Sequence, residues 1–293
     1  MTKIFVWSDS DLDGAGSILA LKWLYESKVQ PIRFEHESVW NGQDLSQKMS
    51  KWFEQNYDKY DKIYICDLSL AENVIEIVDK QNVVVIDHHK THVDLKHQYT
   101  IAKTIIFEHT STTDIIRTKF HLDDNITSAQ KELLIRIDDY DQYMLKYPES
   151  IKLNAIHKKV KTKKFIEQFD TGLRSFNIQE RSIINLFSNE LKTQLNNTQY
   201  FVGNILGYKA VACYVERYSS ETSNIVLNRY NADICFAVNL SKKSVSIRKT
   251  KKCPLKLNVL AEKFCNGGGH EFAAAGKLTE NFAKLLKNFK EVK

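Results

Sequence analysis

Asp9-Ser10-Asp11-Leu12-Asp13-Gly14 places three carboxylates at alternate positions one residue beyond a short apolar run, Ile4-Phe5-Val6-Trp7. In a strand-to-helix loop, alternate side chains can converge on one side and hold divalent cations, and Gly14 permits the tight turn. The same hexapeptide is how an EF-hand loop begins, but the twelfth loop position falls on Ala20 rather than Glu, and a strand rather than a helix precedes it. Acidic residues complementing a helix dipole would explain one or two of the carboxylates; three in alternation fit that reading poorly. Two more such sites end apolar runs: Asp67 after Ile63-Tyr64-Ile65-Cys66, and Asp87-His88-His89 after Val83-Val84-Val85-Ile86. Taken singly, Asp67 reads as a loop or helix cap and a lone histidine as a structural residue. Their shared position at strand ends reverses that reading. Carboxylates with an imidazole suit two manganese or magnesium ions about 3.5 to 4 Å apart, an arrangement that activates water and neutralises a phosphoryl group during in-line displacement.

The elements that must position these residues follow from hydrophobic period. Strands are expected at Ile4–Trp7, Ile32–Glu37, Lys62–Cys66 and Val83–Ile86, alternating with helices at Ala15–Tyr25, Leu45–Phe53 and Glu72–Lys80. The rhythm implies an α/β fold with a mainly parallel, doubly wound sheet, in which ligands collect outside the carboxyl ends of the strands. Helices are expected at Thr110–Phe120 and Thr127–Ile137, each starting near Ser or Thr residues able to cap it. From Tyr147 to Thr198 the chain is Lys-rich and helical, with the basic run His157–Lys164, and reads as a connector. A smaller mixed α/β unit follows, with strands at Lys209–Val215, Asp233–Asn239 and Ser244–Arg248 and helices at Ser220–Tyr230, Lys256–Cys265 and Phe282–Phe289. The expected domains are 1–145, a helical connector 146–200, and 201–293.

The chain has 293 residues, 43% of them hydrophobic, which excludes disorder as its dominant state. Its net charge of +6 hides an asymmetry. Residues 1–145 hold 16 Lys+Arg against 24 Asp+Glu, a balance of −8, and the remainder holds 26 against 12, a balance of +14. An acidic half suggests cation binding and a basic half phosphate binding, unless the charges merely solvate unrelated surfaces. No apolar run approaches the roughly 20 residues of a membrane helix, and no signal peptide is expected. Five cysteines without a Cys-x-x-Cys pair argue against a disulfide framework or zinc site and for a reducing, cytoplasmic location.

Read in order, Asp9-x-Asp11-x-Asp13-Gly14, Asp67, Asp87-His88-His89 and Gly267-Gly268-Gly269-His270 resemble the motifs of the DHH phosphoesterase superfamily. Ser246-Ile247-Arg248, followed by Gly267 to Gly276, resembles the associated C-terminal domain, so the resemblance spans nearly the entire chain. The first motif begins with Asp9, as in RecJ-like exonucleases, where many smaller members have His. For the fourth motif, Tyr140-Asp141-Gln142-Tyr143 makes Asp141 the best match, with Asp139 as the runner-up. The resemblance implies that Asp9, Asp11, Asp13, Asp67, His88 and Asp141 divide between two Mn2+ ions, or Mg2+ in their place, with Asp67 bridging. Asp67, His88 and His89 then form the catalytic group, His89 orienting His88 or steadying the attacking water.

It further implies that Arg248, Gly267, Gly268, Gly269 and His270 grip substrate phosphates, since consecutive glycines let backbone N–H groups approach an anion and Arg binds phosphate in bidentate fashion. Lys249, Lys251 and Lys252 could track further phosphates or form a solvated face. The expected substrate is a short or single-stranded oligonucleotide, cleaved to mononucleotides as one chain end enters a cleft between the domains. A small phosphate-containing substrate stays open as the alternative: a cyclic dinucleotide, 3′-phosphoadenosine 5′-phosphate or polyphosphate. No membrane partner is expected, and no residue pattern specifies an oligomeric state.

Overall fold

The computed structural model describes residues 1–28, 31–40, 44–108, 110–269 and 271–292. It divides the chain into two compact units, Met1–Ile184 and Asn185–Lys293. The division falls inside one long helix, Ile178–Asn197. Among the described residues no helix is long and apolar enough to cross a membrane.

The first unit alternates strands and helices: β1 (Thr2–Asp9), α1 (Leu12–Lys28), β2 (Ile32–Val39), α2 (Ser46–Asn56), β3 (Lys62–Cys66), α3 (Glu72–Val78), β4 (Val83–Asp87), α4 (Lys90–Leu95) and β5 (Lys103–Ile106). The strands form one parallel sheet in the order β2-β1-β3-β4-β5. Helices α5 (Thr112–Lys119), α6 (Ser128–Asp141), α7 (Pro148–Phe169) and the start of α8 (Ile178–Asn197) complete the unit. The sheet is covered on both faces, which is why β3 and β4 read as unbroken apolar runs rather than alternating ones. Ile4, Val6, Tyr64, Cys66, Val84 and Ile86 point into one core, built with α1, α5, α6 and α7. Their neighbours Phe5, Trp7, Ile63, Ile65, Val83 and Val85 point into the other, built with α2 and α3.

The Lys-rich stretch expected to connect the domains lays Leu153, Ile156, Phe165 and Phe169 of α7 into the first of these cores. Its charge sits on the outer side of an apolar stripe. Strand β5 has no counterpart in the sequence reading: Lys103-Thr104-Ile105-Ile106 is a short edge strand, too brief to show a period.

The second unit continues with β6 (Tyr200–Ile205), β7 (Tyr208–Tyr214), α9 (Ser219–Arg229), β8 (Ile234–Asn239), β9 (Ser244–Lys249), α10 (Leu257–Cys265), β10 (Gly268–Gly269), β11 (Ala273–Lys277), α11 (Glu280–Leu285) and β12 (Lys290–Val292). These strands form a mixed sheet in the order β10-β11-β9-β8-β7-β6-β12, with β7 and β8 parallel and the other pairs antiparallel. Helix α9 covers one face over Val211, Cys213, Cys235 and Ala237. Helices α10 and α11 cover the other over Ala212, Phe236, Val245 and Ile247. Strand β11, Ala-Ala-Ala-Gly-Lys, escaped the sequence reading because small residues carry no β signal; it forms by pairing with β9 in register, Ala273 to Arg248.

Candidate metal centre

Register alone brings three carboxylates to one edge. Ser8 pairs with Cys66 across β1 and β3, and Cys66 with Ile86 across β3 and β4. Asp9, Asp67 and Asp87 are each the next residue, so they stand side by side on neighbouring strands about 4.8 Å apart. The strand order reverses direction between β1 and β3, which opens a crevice at this carboxyl edge.

The loop after β1 folds tightly over that edge. Asp11 Oδ1 accepts from the Gly14 N–H at 2.9 Å, so one of its oxygens caps α1 as the helix-dipole reading expects. A Cβ on Gly14 would collide with the Asp9 carbonyl oxygen, so no other residue fits the turn. Asp13 is buried and faces the first turn of α5, where its two oxygens accept from the N–H groups of Thr112 (2.8 Å) and Thr113 (2.9 Å). Thr112 Oγ1 also reaches Asp67 Oδ1 at 3.3 Å. These two threonines were not singled out from sequence; their signal was the Ser-Thr-Thr run that starts α5, capped by Ser111.

Asp67 adopts a left-handed backbone conformation, φ 59°, uncommon for a residue with a side chain. Strain of this kind concentrates at functional sites. Its Oδ1 lies 3.2 Å from His88 Nε2, which is in turn 3.9 Å from Asp13 Oδ2, and His88 Nδ1 is 3.8 Å from Asp141 Oδ2. Asp67 Oδ2 is buried without a hydrogen-bond partner. Burial pushes the Asp67 carboxyl well above the ordinary range, reinforced by the charges of Asp13, Asp11, Asp141 and Asp87. Burial likewise raises Asp141 to about 7, with His88 opposing and Asp13 and Asp11 adding to the rise.

The neighbouring acidic residues at the end of α6 take different work. Asp139 accepts from the Lys146 and Tyr147 N–H groups at 2.9 and 3.2 Å and from Ser150 Oγ at 2.6 Å, tying down the start of α7. Asp138 Oδ1 accepts from the Ser111 N–H at the start of α5, at 3.2 Å. Asp141 is the member of the cluster that faces His88.

Asp87 turns away from the crevice. Its two oxygens lie 2.8 Å from His89 Nδ1 and 2.8 Å from His92 Nδ1, and His92 Nε2 lies 2.7 Å from the Tyr99 hydroxyl. Against the cost of burial, the charge of His89 and hydrogen bonds from both histidines hold Asp87 below the usual carboxylate range. Burial opposes a proton on His89, but Asp87 overrides it and raises His89 to about 9. Asp87 thus fixes His89 with Nδ1–H toward the carboxylate, leaving Nε2 as the ring's other polar atom. His92 and Tyr99 went unnoticed in the sequence, where nothing but burial distinguishes them.

Three groups of donor atoms, each within 4.8 Å, emerge among the described residues: Asp67, His88 and His89; Asp13, His88 and Asp141; Asp9, Asp11 and Asp67. All six residues expected to hold metal fall in these groups, and Asp67 and His88 each belong to two. A crowd of buried carboxylates with an orphaned oxygen is repulsive by itself and is relieved by a divalent cation. The oxygen-rich set with imidazole fits manganese or magnesium.

In the second unit, Arg248 Nη2 donates to Ser220 Oγ at 2.9 Å and Nη1 to the Ile247 carbonyl at 3.0 Å. Lys249, one residue on, faces the opposite side of the sheet. Its side chain is 1% exposed, with Nζ 2.9 Å from the Leu255 carbonyl and 3.2 Å from Glu271. It anchors a loop and does not track phosphates. Gly268 and Gly269 pair with Ala275 and Ala274. Gly269, at φ 133°, could not carry a side chain without striking Ala273 and Ala274, whereas a Cβ on Gly268 would meet open space. His270 lies outside the described residues.

Residues 3–139 match the DHH family, N-terminal domain, and residues 197–293 match the DHHA1 domain. No curated protein matches the chain. Similar solved structures include an exopolyphosphatase-related protein from Bacteroides fragilis, 17% identical with a TM-score of 0.56, covering 98% of this chain and 92% of that one. Exonuclease RecJ bound to manganese is 13% identical with a TM-score of 0.54, covering 97% and 89%. RecJ in complex with Mn2+ from Thermus thermophilus is 12% identical with a TM-score of 0.58; 97% of this chain spans 51% of that one. At such identities the likeness is one of fold.

Proposed function

The chain belongs to the DHH phosphoesterase superfamily, and from that premise we propose that it is a phosphodiesterase that hydrolyses short or single-stranded oligonucleotides to mononucleotides with two divalent cations. The observation that carries this reading is the convergence of Asp13, Asp67 and Asp141 on His88 and of Asp9 and Asp11 on Asp67 at one sheet edge, with a buried Asp67 oxygen left unpaired. Asp9, Asp11, Asp13, Asp67, His88 and Asp141 would hold the cations, Asp67 and His88 each belonging to two of the three donor groups. Mn2+ is the first choice and Mg2+ the second, in keeping with RecJ structures solved with each ion. Bound cations would supply acidified water and neutralise the phosphoryl oxygens.

The chain's own groups account for the rest. Asp13 is pre-oriented by the N–H groups of α5, so its position costs little reorganisation on binding. Asp87 favours the protonated form of the His89 ring, whose Nε2 can donate toward a phosphate or leaving oxygen. Asp87 holds the ring in place for that task. In the second unit, Arg248, the backbone of Gly267, Gly268 and Gly269, and His270 would take the phosphates of the substrate. A cytoplasmic location accords with five buried, free cysteines.

A second reading is hydrolysis of polyphosphate or another small phosphate compound, favoured by the fold likeness to an exopolyphosphatase-related protein. A manganese-supplemented panel of labelled RNA pentamer, long single-stranded DNA, cyclic di-AMP and polyphosphate separates the two. The oligonucleotide reading expects the pentamer to be reduced to mononucleotides fastest. Polyphosphate consumed with the pentamer left intact would overturn it. On the pentamer, Arg248→Ala should raise KM roughly ten- to a hundredfold, the worth of a charge-assisted phosphate contact. The variant should also flatten the rise of KM with salt, while Mn2+ affinity stays at the parent value. An unchanged KM and salt response would remove Arg248 from substrate binding.

A further inference from the structure

Two histidines share the Asp87 carboxylate, and they differ in what they can reach. His89 lies 2.8 Å from Oδ1 and its side chain is 23% exposed; it belongs to the donor group of Asp67 and His88. His92, on α4, lies 2.8 Å from Oδ2 and is fully buried. The chain of contacts runs one step further, from His92 Nε2 to the Tyr99 hydroxyl at 2.7 Å, with the two rings 5.6 Å apart. Tyr99 itself packs against the core on the α2 and α3 side of the sheet.

The donor roles along this chain follow from the groups themselves. A carboxylate can only accept, so each histidine must present Nδ1–H to it. A neutral His92 with its proton on Nδ1 offers Nε2 as an acceptor, and the Tyr99 hydroxyl fills it. Tyr99 therefore selects the tautomer that Asp87 requires, since a proton on Nε2 would turn the Nδ1 lone pair toward the carboxylate. Pairing the buried Oδ2 needs no more than one donor, which a short amide would supply. The imidazole and phenol add an anchor in the core, at the cost of burying more polar atoms. Held by His89 alone, the carboxylate could turn about its Cβ–Cγ bond and carry the ring with it. Held at both oxygens, it gives His89 one orientation. That orientation matters because the His89 ring lies against His88, centroids 4.5 Å apart, with Nδ1 3.9 Å from Asp67 Oδ1.

We propose that His92 and Tyr99 are positioning residues for the hydrolytic step, which fix the Asp87 carboxylate from behind and through it aim His89 Nε2 at the reacting phosphate. The proposal deepens the phosphodiesterase reading and rests on it. Neither residue touches the metal set or the substrate, so their removal should leave metal loading and substrate binding in place and slow the chemistry.

The test uses the full chain and its variants His92→Leu, His92→Asn and Tyr99→Phe, with the first and last also combined. Hydrolysis of the RNA pentamer gives KM and kcat, the latter per Mn2+-loaded site, and calorimetry gives Mn2+ affinity. His92→Leu should lower kcat about a hundredfold, with KM and Mn2+ affinity within about twofold of the parent. Asn has the shape of Leu and returns a donor to Oδ2 without reaching Tyr99, so His92→Asn should recover about tenfold of that loss. Tyr99→Phe should lower kcat about tenfold, and adding it to His92→Leu should cost nothing further, because Tyr99 acts through His92. Equal losses in His92→Leu and His92→Asn, a parent-like kcat in Tyr99→Phe, or a fall in Mn2+ affinity that matches the fall in kcat would each overturn the proposal. If His92→Leu fails to fold, His92→Asn and Tyr99→Phe decide the matter, and parent-like kcat in both overturns it. If the parent spares the pentamer but consumes polyphosphate, the oligonucleotide reading alone has failed, and the same comparisons on polyphosphate carry the same expectations. No hydrolysis of either substrate by the parent overturns both.

Discussion

Replacing Asp67 with asparagine is expected to lower pentamer hydrolysis about a thousandfold or more while raising the melting temperature of the metal-free protein. The two effects have one cause. Burial pushes the Asp67 carboxyl well above the ordinary range, the charges of Asp13, Asp11, Asp141 and Asp87 add to the rise, and its Oδ2 has no partner. Without cations the Asp67 carboxyl ionises only at a cost to the fold, and a neutral amide of the same shape avoids that cost while still accepting from Thr112 Oγ1. With cations the same charge is what joins the Asp9 and Asp11 group to the His88 and His89 group, and losing several kcal/mol of transition-state stabilisation is worth about three powers of ten in rate. Steady-state kinetics with Mn2+ and calorimetry in chelator measure both. A variant that turns over like the parent, or that melts lower when metal-free, would count against the assignment of Asp67.

The second large effect is a reversal of pH dependence by metal. In the metal-free protein, Asp67 and Asp141 keep protons more firmly than they would in the unfolded chain, Asp141 to about 7. His89, raised to about 9 by its pair with Asp87 after burial has opposed it, does the same at higher pH. Each group with a raised folded value stabilises fully below its unfolded value, and that stability is lost as pH rises through the folded one. Below about pH 6.5 the trend is offset by His36 and His157, which burial lowers and which therefore favour folding as pH rises. Between about 6.5 and 9 the offset is gone, so the metal-free protein should melt progressively lower. Divalent cations bind the deprotonated carboxylates, so the gain in melting temperature from Mn2+ should grow across the same window; at 100 times Kd one site contributes about 2.7 kcal/mol. Calorimetry at half-unit pH steps, with chelator or with excess Mn2+, checks this. A metal-free melting temperature that is flat or rises from 6.5 to 9 would contradict it.

Much of this site is legible in the sequence because its residues are consecutive in motifs and end apolar runs. Asp9, Asp67 and Asp87-His88-His89 announce themselves as the polar residues that terminate buried parallel strands, and parallel register does the rest. What the sequence concealed are roles set by three-dimensional partners. Asp138, Asp139 and Asp141 are near-identical neighbours on paper, yet Asp138 tethers α5, Asp139 tethers α7 and Asp141 faces His88. Asp87 ends an apolar run as Asp67 does, but its oxygens are taken by His89 and His92. Lys249 reads as the next cation after Arg248, and the alternation of a strand turns it into the opposite face. Strands β5 and β11 were missed for a related reason: short edge pairing and small residues leave no periodic trace, so tertiary pairing alone makes them strands. Helix α7 breaks at Lys161, where φ is 70° and ψ 165°, and the sequence carries no signal of it, since no glycine or proline marks the position.

The most direct test of the account is turnover of a 5′-labelled RNA pentamer by the purified chain through one cycle of metal removal and return. Mononucleotides should accumulate with Mn2+, cease to form in excess chelator, and form again at the original rate when Mn2+ is restored. Undiminished hydrolysis in excess chelator would contradict the claim that the carboxylate and histidine set acts by holding divalent cations.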